Sequence, residues 1–186
     1  MSLKHIMLGL LRNPQSGYDI KNHFEQSLRN FWRAELSQIY PLLNTMESEG
    51  LLTSLEDSSD KGPPRRVYKR APKGRKQFEK WLSTGPVVGT ERVAYLAQIY
   101  FLGELHDSEK AIAFMEEMRS YFQEYLDRLA AVESDWRDND PRYPNDLPDD
   151  EFFPQLTLQL GLARMRTSID WCDDSIRRIR QRANAS

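Results

Sequence analysis

The sequence predicts a mainly α-helical chain in two parts, on three observations. Two long stretches carry apolar residues at alternating spacings of three and four. Between Leu36 and Leu82, a helical pattern gives way to two short β-type runs around a basic turn, then returns to helix. The charges also divide. Residues 1–85 hold 14 Lys+Arg against 9 Asp+Glu, a net of +5, whereas residues 86–186 hold 12 against 19, a net of −7. A polar helix face followed by a cationic hairpin is the layout of a winged helix-turn-helix. The expected organisation is a winged helix-turn-helix DNA-binding domain over 1–84, with three helices, a two-stranded wing and a linker helix. A long-helix dimerisation domain over 85–186 follows it.

Leu3, Ile6, Met7, Leu10 and Leu11 share one helix face, with Ser2 as N-cap. Asn13-Pro14-Gln15 ends that helix. Ser16-Gly17-Tyr18-Asp19 fits a capping box, and Ile20, Phe24 and Leu28 form the inner stripe of the helix it opens. The third helix is expected from about Glu35 to Glu49. Pro41 is tolerable near its start, and Gly50 sits where a left-handed C-cap is wanted. Leu51–Leu55 and Val67–Arg70 read as strands around a turn rich in Asp, Ser, Gly and Pro. Ala71-Pro72 opens a fourth helix that buries Phe78, Trp81 and Leu82.

Thr90 to Leu105 reads as a shorter helix with Val93, Leu96 and Tyr100 on one side. Met115, Met118, Phe122, Tyr125, Leu129, Val132 and Trp136 form one long seam; Leu158, Leu162, Met165, Ile169, Cys172, Ile176 and Ile179 form another. The proline-rich stretch Asp138–Pro154 between them reads as a loop that lets the helices run antiparallel. Two seams make a small core for about a hundred residues, so a second copy is expected to supply the missing surface. Met118, Phe122, Tyr125, Leu129, Leu162, Met165 and Ile169 are the expected dimer interface.

Ser37, Gln38, Tyr40 and Asn44 lie opposite Ile39, Leu42, Leu43 and Met46 on the third helix. On an isolated helix they would read as a solvated face. Ahead of a basic hairpin they become candidate contacts to double-stranded DNA. Gln and Asn can pair bidentately with adenine, while Ser and Tyr hydroxyls more often hold phosphates. Lys61, Arg65 and Arg66 of the turn are candidates for phosphate or an A·T-rich minor groove. Lys21, Lys73 and Arg75 are secondary candidates for backbone contact. Arg177, Arg178, Arg180 and Arg182 are expected to complement a helix C-terminus and to pair with carboxylates across the dimer.

These residues resemble the PadR family of transcriptional regulators. The resemblance rests on Ser37-Gln38-Ile39-Tyr40-Pro41-Leu42-Leu43, Glu47 and Glu49-Gly50-Leu51, followed by Lys61-Gly62-Pro63, Tyr68, Lys73-Gly74-Arg75 and Trp81. Gly17-Tyr18 and Phe31-Trp32 agree upstream. It covers most of residues 1–84 and implies a homodimeric repressor on a palindromic operator. It also implies a helical dimerisation half and, in some members, sensing of small aromatic or multidrug ligands. Two departures from the pattern are Glu35 and Ala71, which stand where such proteins often carry Ser or Thr caps.

Other classes fit less well. His5, His23 and His106 are the only histidines and none sits at ligand spacing with another or with Cys172. There is no Gly-rich phosphate loop. Neither an enzyme nor a cofactor is therefore expected. Cys172 lies on an apolar seam and reads as a small hydrophobe. A single cysteine and the lack of a signal sequence suit the cytoplasm, and no apolar run approaches the ~20 residues of a membrane span. The rival reading is a protein–protein adaptor built on a winged helix that does not bind DNA.

Overall fold

The computed structural model describes residues 3–29, 31–32, 34–57, 65–87 and 93–184. The expected cap Ser2 and the wing residues 58–64, Lys61 among them, lie outside the described residues. The chain divides into two compact units, Met1–Thr90 and Glu91–Ser186.

The first unit runs α1 (Leu3–Leu10), β1 (Gln15–Ser16), α2 (Gly17–His23), α3 (Leu36–Ser48), β2 (Leu52–Asp57), β3 (Arg65–Arg70) and α4 (Pro72–Ser83). A wider π-type turn, Phe24–Leu28, extends α2. The expected capping box is present: the Asp19 N–H donates to Ser16 Oγ at 3.2 Å and the Ser16 N–H to Asp19 Oδ2 at 2.9 Å. At the other turn, Gly50 takes φ +70° and the Leu51 N–H reaches back to the Met46 carbonyl at 2.8 Å. This left-handed cap is what turns the chain from α3 into β2.

The sheet is antiparallel with order β1-β3-β2. Ser54 pairs with Tyr68 and Glu56 with Arg66, and both strands run longer than the sequence suggested. The two-residue β1 was not expected. It pairs Gln15 with Tyr68 and Ser16 with Val67, and two residues are too few to show a period. Met7, Leu8, Leu11, Ile20, Phe24, Ile39, Leu43, Met46, Leu51, Leu52 and Tyr68 form one core. Each large side chain so buried contributes about 1.5–3 kcal/mol. On α4, Phe78 packs against that core, but Leu82 is exposed, contrary to expectation. Trp81 instead stacks on His5, ring centroids 4.9 Å apart.

The second unit runs α5 (Ala94–Phe101), a short 3₁₀ turn, α6 (Ser108–Asn139) and α7 (Asp149–Asn184). Met115, Met118 and Phe122 of α6 meet Ile169, Cys172 and Ile176 of α7. Further along, Tyr125 and Leu129 meet Leu158 and Leu162. Residues early in α6 thus pack with residues late in α7, which makes the pair an antiparallel hairpin. Burial pushes the Cys172 thiol above its usual pKa, as a small core residue requires. On α5, Tyr95 and Ile99 pack inward while Leu96 and Tyr100 are exposed. The side that carries Leu96 and Tyr100 is thus the outer one. The segment AYLAQIYF is apolar nearly all round, so its pattern did not select a side.

The residues expected at a dimer interface are packed within the single chain. Phe122 is 4% exposed and Ile169 7% within a single chain. Met118, Tyr125, Leu129 and Leu162 are buried likewise, and Met165 packs against the same clusters. These seams join α6 to α7 of one chain, the antiparallel packing that their periodicity suggested. The arginines near the C-terminus also find their carboxylates inside the chain: Arg180 with Glu116 at 2.7 Å and Arg177 with Asp174.

α7 begins at Asp149 rather than after Pro154. Pro154 and Pro41 each stand sixth in their helix, and each forfeits one i→i−4 bond. The carbonyls so released belong to Asp150 and Ser37, both exposed, so water can take their place. The α6–α7 loop is closed by Arg142. Its guanidinium donates to Asp140 Oδ1 and Oδ2 at 2.9 and 2.6 Å and to Glu151 Oε2 at 2.9 Å.

Two outcomes follow from this packing. Phe122→Ala should cost about 3–5 kcal/mol of stability, read by thermal unfolding, rather than yield a folded monomer. The Arg142 side chain, followed by its backbone N–H, holds Asp140 at about 2, from an ordinary 3.8. A carboxyl depressed in this way stabilises the fold fully above its ordinary pKa and ceases to do so as pH falls through about 2. Carboxyl NMR of the Arg142→Ala variant should show Asp140 titrating higher than in wild type but still below 3.8, because the backbone N–H of residue 142 remains.

Candidate nucleic-acid interface

The rotation of α3 is set by its apolar side. Ile39, Leu43 and Met46 are fully buried, which turns the opposite side to solvent. Ser37, Pro41, Asn44 and Ser48, spaced 4, 3 and 4, form the centre of that outer side, with Gln38 and Tyr40 flanking it. Ser37, Gln38, Tyr40 and Asn44 are all exposed. Thr45 and Ser48 belong to the same surface and were missed. The signal was available in their helical spacing from Pro41 and Asn44. Their hydroxyl donors are turned back onto the helix, to the carbonyls of Pro41 at 2.9 Å and Thr45 at 2.8 Å.

Two of the outward residues also hold the motif together. Gln38 Oε1 accepts the Glu35 N–H at 3.1 Å, so Glu35 and Gln38 supply the cap that a Ser or Thr would give. Tyr40 lies against the start of α2. A Cβ added to Gly17 would come within 2.6 Å of its ring, so this glycine permits the two helices of the motif to approach. Tyr40 remains 44% exposed beyond that contact.

Beside α3, β3 alternates. Arg66, Tyr68 and Arg70 lie on one face and Arg65, Val67 and Lys69 on the other. Arg65 Nη1 stands 4.0 Å from Asp19 Oδ2. Burial raises the Asp19 carboxyl, but hydrogen bonds from Ser16, helped by Arg65 and His23, outweigh it and hold the group below its usual pKa. Arg66 donates from Nη2 to Glu47 Oε2 at 2.6 Å and from Nε to Ser54 Oγ at 2.9 Å. Lys69 is exposed, has no partner among the described residues, and was not among the expected contacts.

The secondary candidates are all engaged within the chain. Lys21 pairs with Glu25 at 3.2 Å and Arg75 with Glu79 at 2.7 Å. Lys73 donates to the Glu49 carbonyl at 2.7 Å, closing the end of α3.

In the second unit, a cleft of about 570 Å³ lies where early α6 meets late α7. Glu116, Arg119, Asp173, Ile176 and Arg180 line it. Arg119 is held by Asp173 through two bonds, at 2.5 and 3.1 Å, and Arg180 by Glu116. Its charges are therefore neutralised from within. Among the described residues there is no group of three or more potential metal ligands, and no helix is long and apolar enough to cross a membrane.

A helix-turn-helix with an exposed polar second helix, a β-hairpin beside it and an appended helical hairpin defines a winged-helix regulator of two units. Residues 7–80 match the Transcriptional regulator PadR-like family, and residues 91–180 match Virulence activator alpha C-term. The negative transcriptional regulator PadR of Bacillus subtilis is 26% identical over 179 residues, covering 95% of this chain and 97% of that protein. The crystal structure of Bacillus subtilis PadR in complex with operator DNA is similar with a TM-score of 0.82 at 25% identity, covering 96% of this chain and 99% of that one. The same regulator in complex with p-coumaric acid is similar with a TM-score of 0.75 at 26% identity, over 95% and 94% of the two chains. The likeness to PadR-like transcriptional regulators thus covers residues 7–80 by family model and nearly the whole chain by the Bacillus subtilis relative.

The Tyr40–Gly17 contact predicts a specific non-additivity. Gly17→Ala should destabilise the protein by about 1–3 kcal/mol through overpacking. In a Gly17→Ala, Tyr40→Ala double variant, much of that loss should disappear, because the ring the new methyl strikes is gone. Simply additive losses in denaturant unfolding would count against the contact.

Proposed function

We propose that the chain is a sequence-specific repressor that binds double-stranded DNA as a homodimer and is released by a small aromatic effector. Residues 1–84 serve as the reading head and residues 85–186 as the dimerisation and sensing half. The observation that carries this reading is the polar outer face of α3, fixed by a buried apolar face and flanked by a basic hairpin on the half of the chain with net charge +5. Support comes also from the Bacillus subtilis relative, a negative regulator known in complexes with operator DNA and with p-coumaric acid.

In this reading α3 enters the major groove. Ser37, Gln38, Tyr40 and Asn44 meet bases or adjacent phosphates. Lys61 and Arg65 neutralise the flanking backbone. Two-fold symmetry then calls for a roughly palindromic operator with half-sites about 34 Å apart, or a multiple of that. An effector can release the DNA only by binding the released arrangement of the two heads more tightly than the bound one.

The dimer surface proposed here is the apolar stripe that the α6–α7 seam leaves outside. Phe153, Leu156, Leu160 and Trp171 are exposed along α7; Leu160 is 60% exposed. Leu96, Tyr100, Phe101 and Leu105 add exposed apolar surface in the same unit. Exposed patches of this kind mark interaction surfaces.

Two experiments test this. Selection from a random duplex pool with the full-length protein should enrich an inverted repeat. Lys61→Ala, Arg65→Ala protein should bind it more weakly, with a salt slope reduced by about one unit per lost phosphate contact. No enrichment would move the reading to a protein–protein adaptor. Leu156→Glu, Leu160→Glu protein should sediment as a monomer with its helical circular dichroism intact, because neither side chain is in the core. A surviving dimer would exclude this stripe.

A further inference from the structure

Arg66 was expected to hold phosphate, yet its guanidinium is already bonded to two side chains and lies over a third. Nη2 donates to Glu47 Oε2 at 2.6 Å, and Nε donates to Ser54 Oγ at 2.9 Å. Ser54 Oγ donates in turn to Glu47 Oε1 at 2.5 Å. The plane lies over the Tyr68 ring, 5.4 Å from its centroid, and Tyr68 is itself buried. A simple ion pair this exposed, with half of the Arg66 side chain open to water, contributes little to stability. Its value lies in what it connects. Glu47 belongs to α3 and follows Asn44 by one turn. Ser54 lies on β2 and Arg66 on β3. One planar group therefore ties the helix that presents the polar face to both strands of the hairpin. The fork geometry of arginine makes such a tie directional in a way a point charge does not.

Arg65, next along the strand, lies on the opposite face of β3, with Asp19 4.0 Å away. The two adjacent arginines thus have different environments. A phosphate approaching Arg66 would meet a guanidinium whose charge is already offset by Glu47 and whose orientation Glu47 and Ser54 fix. Removing Arg66 would leave the Glu47 charge uncompensated beside α3.

We infer that Arg66 is a positioning residue rather than a phosphate contact: clamped to Glu47 and Ser54, it fixes the angle between α3 and the β2–β3 hairpin. That angle sets which base steps the helix and the hairpin can occupy together, so the clamp determines specificity. Arg65, more loosely paired with Asp19 on the opposite face, is the residue of the two assigned to the DNA backbone. The inference rests on the proposed DNA-binding function.

The test measures binding of full-length protein to the selected operator across a salt series. The proteins are wild type, Arg65→Ala, Arg66→Ala, Arg66→Lys, Glu47→Gln and the Glu47→Gln, Arg66→Ala double variant. Arg65→Ala should lower the salt slope by about one. Arg66→Ala should leave the slope unchanged while weakening the operator by about tenfold. Arg66→Lys should not rescue it, because lysine keeps the charge but lacks the fork. Glu47→Gln should weaken binding like Arg66→Ala, and the double variant should be no worse than either alone. Amide exchange at residues 54–56 and 65–67 of the DNA-free protein should quicken in Glu47→Gln, which reads the clamp without DNA.

A slope lost in Arg66→Ala and restored by Arg66→Lys, or tighter binding by Glu47→Gln, would overturn the positioning role while leaving DNA binding intact. A wild type that selects no duplex would overturn the function itself and this inference with it.

Discussion

The side chains of Ile39, Leu43 and Met46 are the constraint from which the reading surface follows. All are fully buried in a core shared with α1, α2 and β3. Because an α-helix advances 100° per residue, burying these positions leaves no freedom in the direction of Ser37, Asn44 and Ser48. Gly50 then turns the chain so that β2 starts beside the end of α3. The polar face is positioned mainly by what lies behind it, and a rigid support of this kind is what a recognition surface needs.

Charge in the first unit is less available than its total suggests. The net of +5 counts cations that the fold has already engaged. Lys21, Lys73, Arg66 and Arg75 each face a carboxylate or a carbonyl of the same unit. Arg70 donates to the Leu8 carbonyl at 3.1 Å and covers the Phe78 ring. Several of these pairs bind one element to the next, so basic residues serve here as internal connectors as well as surface charge. Lys69 on β3 and Lys76 and Lys80 on α4 are exposed with no partner among the described residues.

The second unit separates two roles that a single apolar pattern had merged. α6 and α7 close on each other through Met115, Phe122, Leu129, Leu162, Ile169 and Cys172. A second set, Phe153, Leu156, Leu160 and Trp171, is left on the outside of α7. The first set makes the hairpin a folded object; the second gives it apolar surface to cover. Arg142, bonded to Asp140 and Glu151, fastens the loop that makes the return possible.

By itself the sequence determined the helical class, the capping box at Ser16 and Asp19, the left-handed turn at Gly50 and the outward face of α3. These depend on local periodicity and backbone chemistry, which are written within a few residues. Family resemblance was legible for the same reason, since its motifs fall at the turns and caps. Only the tertiary structure decided which partner each face meets. An apolar seam looks the same whether its mate is in the same chain or in another, so only the fold shows that Phe122 and Ile169 are buried within one chain. A nearly uniform apolar segment such as α5 names no inner side. A cation in a turn carries no mark of the carboxylate 19 positions away that will hold it, as Glu47 holds Arg66. Those distinctions are set by contacts between residues far apart in the chain, and they come into being only when the chain folds.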